Sequence, residues 1–180
     1  MTTNGGNGLG GGAAPGGAGP GAGPQGAPGM AEGPAINTIA QYVKDMSFEN
    51  PNAPRSLAPQ DPAPAISVQV NVNARQLAET DFEVSLTLEG RAGDMPNVVF
   101  SFELTYCGIF RVRGIPNEQV HPVVMIEGPR LLFPFARQII ADAVSNGGFP
   151  HFYLDPIDFG ALYRQRAAEL SGQPANSAMA

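Results

Sequence analysis

Two histidines, a single cysteine and a closely spaced pair of aspartates are the residues of this 180-residue chain best suited to acid–base, nucleophilic or metal chemistry. His121 precedes Pro122 and His151 follows Pro150. Neither stands at a metal-binding spacing from other ligand types. Cys107 has no nucleophile signature around it and reads as a small packed residue. As the sole cysteine it excludes an intrachain disulfide and fits a reducing compartment. Asp155 and Asp158 lie three apart, with Pro156 between them, and a helix-start role is the simpler reading. Gly8, Gly10 and Gly12 are spaced like a phosphate loop, but no strand precedes them and no Gly-Lys-Ser/Thr follows. The chain therefore reads as a binding protein, not an enzyme, with no metal and no cofactor.

Charge and composition narrow the partners. A formal charge of −6 argues against nucleic acid, which needs a basic stripe, and leaves basic partners open. No apolar run approaches the ~18 residues that would suggest a membrane span, so no membrane insertion is expected. The N-terminus lacks the basic start and apolar run of a signal peptide, which makes a cytoplasmic location the expectation. Residues 1–34 are nearly all Gly, Ala, Pro, Asn and Gln, and residues 171–180 are similarly poor in large apolar groups. Both ends are expected to be disordered tails around one domain over 35–170, because they bury too little to offset the entropy of ordering them.

Four segments alternate with period two: about Ile39–Glu49, Ile66–Asn73, Phe82–Glu89 and Val98–Val112. The second and third form a hairpin. The proline-rich stretch Pro51–Pro64 is too long for a tight turn and predicts a crossover loop after the first strand. Asn117 is placed as the N-cap of a short helix, a longer helix is expected over Pro129–Ser145, and a last one over Phe159–Leu170 behind Asp158. Strands followed by helices give an α+β fold, a four-stranded antiparallel sheet with helices on one face.

Alternation assigns the faces. Tyr42, Met46 and Phe48 are expected on the apolar side with Phe100, Phe102, Leu104 and Tyr106. Asp45, Glu49, Glu83, Glu89 and Glu103 fall on the polar side, where no Lys or Arg is placed among them. An acidic flat surface of one sign can steer a basic partner. The long helix carries Leu132, Phe133, Phe135, Ile139, Ile140 and Val144, more than one stripe, which suggests contact with a second subunit through residues such as Ile140.

The segment Tyr42-Val43-Lys44-Asp45-Met46-Ser47-Phe48-Glu49-Asn50-Pro51-Asn52-Ala53-Pro54 resembles the signature of the SecB family of bacterial protein-export chaperones, where a strand K-D-x-S-F-E runs into x-P-N-A-P. Cys107-Gly108-Ile109-Phe110 is similar to that family's G-G-I-F, Leu132–Arg137 to its L-F-P-Y-A-R, and Gly148-Phe149-Pro150 with Leu154–Phe159 to its C-terminal stretch. The resemblance spans roughly residues 36–170. It implies a cytosolic holdase that binds unfolded precursor proteins and delivers them to the SecA translocation ATPase, and a homotetramer built as a dimer of dimers. It assigns the SecA contact to Asp45, Glu49 and Glu103, with Ser101 standing where well-known relatives have leucine. It places clients on the crossover loop and C-terminal segment, at Leu57, Phe149, Phe152, Leu154, Ile157, Phe159 and Leu162. Two alternatives stay open: an α+β carrier or enzyme enclosing a small apolar ligand between sheet and helix, and a holdase of this kind for non-export clients.

Overall fold

The computed structural model describes residues 33–172. The expected tails fall outside these residues, except for positions 33, 34, 171 and 172. Four strands, β1 (Ala35–Glu49), β2 (Ile66–Gln76), β3 (Asp81–Ala92) and β4 (Phe100–Arg113), precede two helices, α1 (Asn117–Asn146) and α2 (Phe159–Gly172). All neighbours are antiparallel and the spatial order is β1-β4-β3-β2. The architecture is the α+β fold expected. Because β1 pairs with β4 and not with β2, residues 50–65 have to cross from one edge of the sheet to the other, and a single turn of 3-10 helix, Arg55–Leu57, lies within this crossover.

One sheet face is covered by α1. Val84, Leu86 and Leu88 of β3 and Leu104 and Phe110 of β4 are fully buried against Leu132, Ala136, Ile140 and Val144 of the helix. At about 25 cal/mol per Å² of apolar surface removed from water, this interface is the main source of stability. Gly128 permits close approach of helix to sheet: a Cβ there would lie 2.8 Å from a methyl of Val84.

Two expectations for the helices are corrected. The short helix at Asn117 and the long one at Pro129 are a single 30-residue helix, and Asn117 is its first residue behind Pro116, not its cap. Pro122, Pro129 and Pro134 all lie inside it. Each removes an N–H donor, at roughly 3 kcal/mol in an isolated helix, yet the buried face of α1 from Val124 to Val144 spans Pro129 and Pro134 and begins just past Pro122, and packing on the sheet holds the helix together. Ile140, expected to face a second subunit, is fully buried against the sheet. The outward-facing apolar residues of α1 are Leu131 and Phe135. By contrast Asp158 does cap α2: its Oδ1 accepts the Ala161 N–H at 2.9 Å, which lowers the carboxyl's proton affinity.

The face assignment also needs a correction. The β1–β4 register shifts between Thr38 and Ala40 and again between Val43 and Asp45. Each shift inserts one extra residue, Ile39 and Lys44, and reverses the alternation beyond it. Tyr42 is therefore opposite Cys107, which is opposite Ser85, and all three lie on the polar face with Asp45, Ser47 and Glu49. Met46 and Phe48 remain on the apolar face, packed against the core.

Candidate functional sites

The polar face has two unlike ends. At the Tyr42 end its charges are matched internally. Glu83 is buried and accepts a hydrogen bond from the Tyr42 hydroxyl. It also accepts from Arg75 Nη2 at 2.8 Å and lies 3.7 Å from Lys44 Nζ. The Tyr42 bond, helped by Arg75 and Lys44, holds the Glu83 carboxyl below the usual carboxylate range despite its burial. The same bond, with partial burial, pushes the Tyr42 phenol up to about 12. One row away Arg111 grips Asp81 with two hydrogen bonds of 2.8 Å and brings that carboxyl down to about 2. On the other side of Glu83 the Cys107 thiol donates to Ser85 Oγ at 3.2 Å, which leaves it a buried structural residue. Glu83, expected on an acidic surface of one sign, instead belongs to this neutralised cluster.

The other end is open. Here Asp45 pairs in register with Thr105, Ser47 with Glu103 and Glu49 with Ser101. Glu89 of β3 lies opposite Glu103, and Arg91 opposite Ser101. Asp45, Glu49, Glu89, Arg91 and Glu103 are all exposed, and none forms an ion pair among the described residues. Three of the four residues expected for the SecA contact, Glu49, Ser101 and Glu103, line one shallow depression of about 330 Å³ together with Ser47, Glu89 and Arg91. Asp45 stands one row further along the same face. Arg91 breaks the uniform acidity expected of this surface; it lies just past the alternating segment Phe82–Glu89, whereas β3 runs on to Ala92.

A second candidate site runs along the edge of the opposite, apolar side. The crossover loop and the segment after α1 face each other across a trough of about 650 Å³ lined by Leu57, Pro59, Pro64, Val99, Phe149 and Phe152, among others. Its aromatic floor is tightly built: Phe149 lies 4.8 Å from Phe100, which stacks on Phe48 at 5.8 Å. At Ile66 and Phe152 this trough meets a second depression of about 360 Å³ lined by Val68, Val70, Leu154 and Ile157. The outer wall is fastened to α1 by the Arg137 guanidinium, 5.2 Å over the Tyr153 ring, on which His151 stacks in turn.

The residues expected to meet clients thus divide. Leu57, Phe149 and Phe152 line the larger depression, and Phe152, Leu154 and Ile157 the smaller, though Leu154 is itself nearly buried. Phe159 is a core residue, edge-on to Phe133 at 5.9 Å, and Leu162 packs half-buried one turn later. The inner face of α2 explains both: positions 159, 162 and 166 point back toward the domain, where Arg166 donates to the Val72 carbonyl at 2.9 Å. Ile66, Val68 and Val70 were missed as trough residues, although their place on the apolar face of an edge strand was readable from the alternation.

Among the described residues no group of three or more His, Cys, Asp and Glu is arranged to hold a metal ion. His121 contacts the Tyr163 hydroxyl at 3.2 Å and helps dock α2 on α1. No described helix is long and apolar enough to cross a membrane. The sheet–helix interface, where a small apolar ligand was an alternative, is filled by fully buried side chains.

Comparison with known proteins places this geometry. A family model described as preprotein translocase subunit SecB matches residues 30–170. The protein-export protein SecB of Beijerinckia indica subsp. indica is 65% identical over 140 residues, covering 78% of this chain and 88% of that one. The SecB of Rhodopseudomonas palustris strain HaA2 is 58% identical over 149 residues, covering 82% and 94%. Among solved structures, a SecB-like chaperone of Mycobacterium tuberculosis in complex with an antitoxin peptide shares the fold, with a TM-score of 0.53 at 13% identity over 68% of this chain and 87% of that one. The sequence motifs, the sheet order and these matches agree: the chain belongs to the SecB family of protein-export chaperones.

Proposed function

We propose that the protein is a holdase that keeps precursor proteins unfolded for export and hands them to the SecA ATPase. The observation that carries this reading is the separation of two chemically unlike surfaces. An acidic depression lies at one end of the polar face, and an apolar trough borders the helix-covered side. A holdase must bind many sequences without a shaped pocket, and an open trough of apolar side chains walled by loops suits that task. A delivery contact must be selective and reversible, which exposed like charges can supply. Export clients are favoured over others because the relatives named for protein export are 58–65% identical, against 13% for the chaperone solved with an antitoxin peptide.

The acting form is a homotetramer in the cytoplasm. Exposed Ile39 and Val43 on edge strand β1 and exposed Leu131 and Phe135 on α1 are apolar groups that a lone subunit leaves in water. Native mass spectrometry with and without a denatured, reduced precursor tests both parts. The expected result is four copies that take up the denatured precursor and ignore its folded form. A monomer with a sharp affinity for one small apolar ligand overturns the reading.

A further inference from the structure

Arg91 is the cation of the acidic depression, and nothing in the SecA-contact assignment uses it. It stands on β3 opposite Ser101 of β4, and Ser101 is in turn opposite Glu49 of β1. The three residues form one row across the sheet. Neighbouring strands are about 4.8 Å apart, so the backbones bearing Arg91 and Glu49 are separated by roughly 10 Å. Ser101 between them is short and half-buried, and it lines the depression with them. The row carries a negative side chain, a small polar one and a positive one in turn, with neither charge in an ion pair within the described residues. Glu89 and Glu103 flank it in the next row.

We propose that Arg91 makes this depression a site of two signs, which accepts a carboxylate of the partner segment while Glu49, Glu89 and Glu103 accept its basic groups. The occupant is a peptide segment of the SecA partner in which an acidic residue lies beside basic ones. Charge complementarity argues for it. A purely basic segment meets three acids and is repelled by the one cation among them, whereas a segment of mixed sign satisfies all four. Guanidinium is suited to the task because it can grip a carboxylate through two parallel N–H donors. The small Ser101 then leaves room for that carboxylate, so the contact at this row is ionic where a leucine would make it apolar.

The inference rests on the docking role of this face, and the test separates the two. Calorimetric titration of the full-length tetramer with its cognate full-length SecA, at low salt, compares the native chain with Arg91→Ala, Arg91→Glu and Glu49→Lys. Arg91→Ala is expected to weaken binding roughly 2- to 5-fold, the range of an exposed ion pair, and Arg91→Glu to weaken it further, with client binding unchanged. Arg91→Lys should restore part of the loss. Tighter binding by Arg91→Ala or Arg91→Glu, or no change, overturns the proposal, because it shows that Arg91 only dilutes the field felt by a basic partner. If Glu49→Lys has no effect, the docking role of the face itself fails, whichever way Arg91 behaves.

Discussion

The two ends of the polar face are built on the same strands, a few residues apart, and treat charge in opposite ways. At one end Tyr42, Lys44 and Arg75 converge on buried Glu83, and Arg111 closes on Asp81. At the other end Asp45, Glu49, Glu89 and Glu103 stand exposed and without ion-pair partners among the described residues. Repulsion among exposed carboxylates costs stability, and the first end shows that this sheet can pair its charges where folding requires it. The unpaired end is therefore the one suited to a partner. Charged residues on a sheet face become informative about function only after their internal partners have been subtracted.

The largest test of this kind of distinction lies on α1, where the same helix has an inner and an outer apolar side. Ile140→Asp puts an unpaired carboxylate in the core and is expected to lower folding stability by about 4 kcal/mol or more, read by urea unfolding. Phe135→Asp, on the exposed side, should leave the fold intact and dissociate the proposed tetramer, read by native mass. If the two variants unfold alike, the division of the helix is wrong.

On the polar face, Glu83→Gln is expected to destabilise by about 1–3 kcal/mol, since it weakens three interactions at a buried position. Glu103→Gln at the open end should change stability by less than about 0.5 kcal/mol, as an exposed substitution does. The pH profile follows from the signs. Glu83 and Asp81 have folded-state pKa values below their ordinary ones. Their stabilisation is complete above the unfolded carboxyl range and is lost as pH falls, through about 2 in the case of Asp81. Denaturation midpoints measured between neutral pH and strong acid should therefore fall, and less steeply in Glu83→Gln. A Glu83→Gln slope equal to that of the native chain would remove the cluster from the acid response.

The smallest effect is expected from deleting residues 1–32. Their composition offers almost no apolar surface to a core, so thermal unfolding and native mass should be unchanged. A lost oligomer would show that this segment packs against the domain.

The strands were legible because a half-buried sheet writes its faces into the sequence with period two. What the alternation hid was the extra residue. Strict alternation from Tyr42 to Phe48 puts Lys44 among apolar side chains and Val43 beside Asp45, and that mismatch was the available sign of the bulge that turns Tyr42 toward Glu83. The continuity of α1 through Pro122, Pro129 and Pro134 was not legible, since proline's local cost is visible in sequence and the tertiary packing that offsets it is not. Glu49, Ser101 and Glu103 could be brought to one place by register and resemblance. Phe159 could not be separated from the trough residues, because an aromatic at a helix start looks the same whether it faces the core or a client.

The central claim is that the acidic end of the polar face and the apolar trough do separate work. Glu49→Lys tests it most directly, with calorimetric titration of SecA and of a denatured precursor against the same tetramer at low and moderate salt. SecA binding should weaken roughly tenfold or more, the native interaction should depend strongly on salt, and precursor binding should be unchanged. Equal losses for both partners with the tetramer intact, or SecA binding that ignores salt and survives reversal of both Asp45 and Glu49, would contradict it.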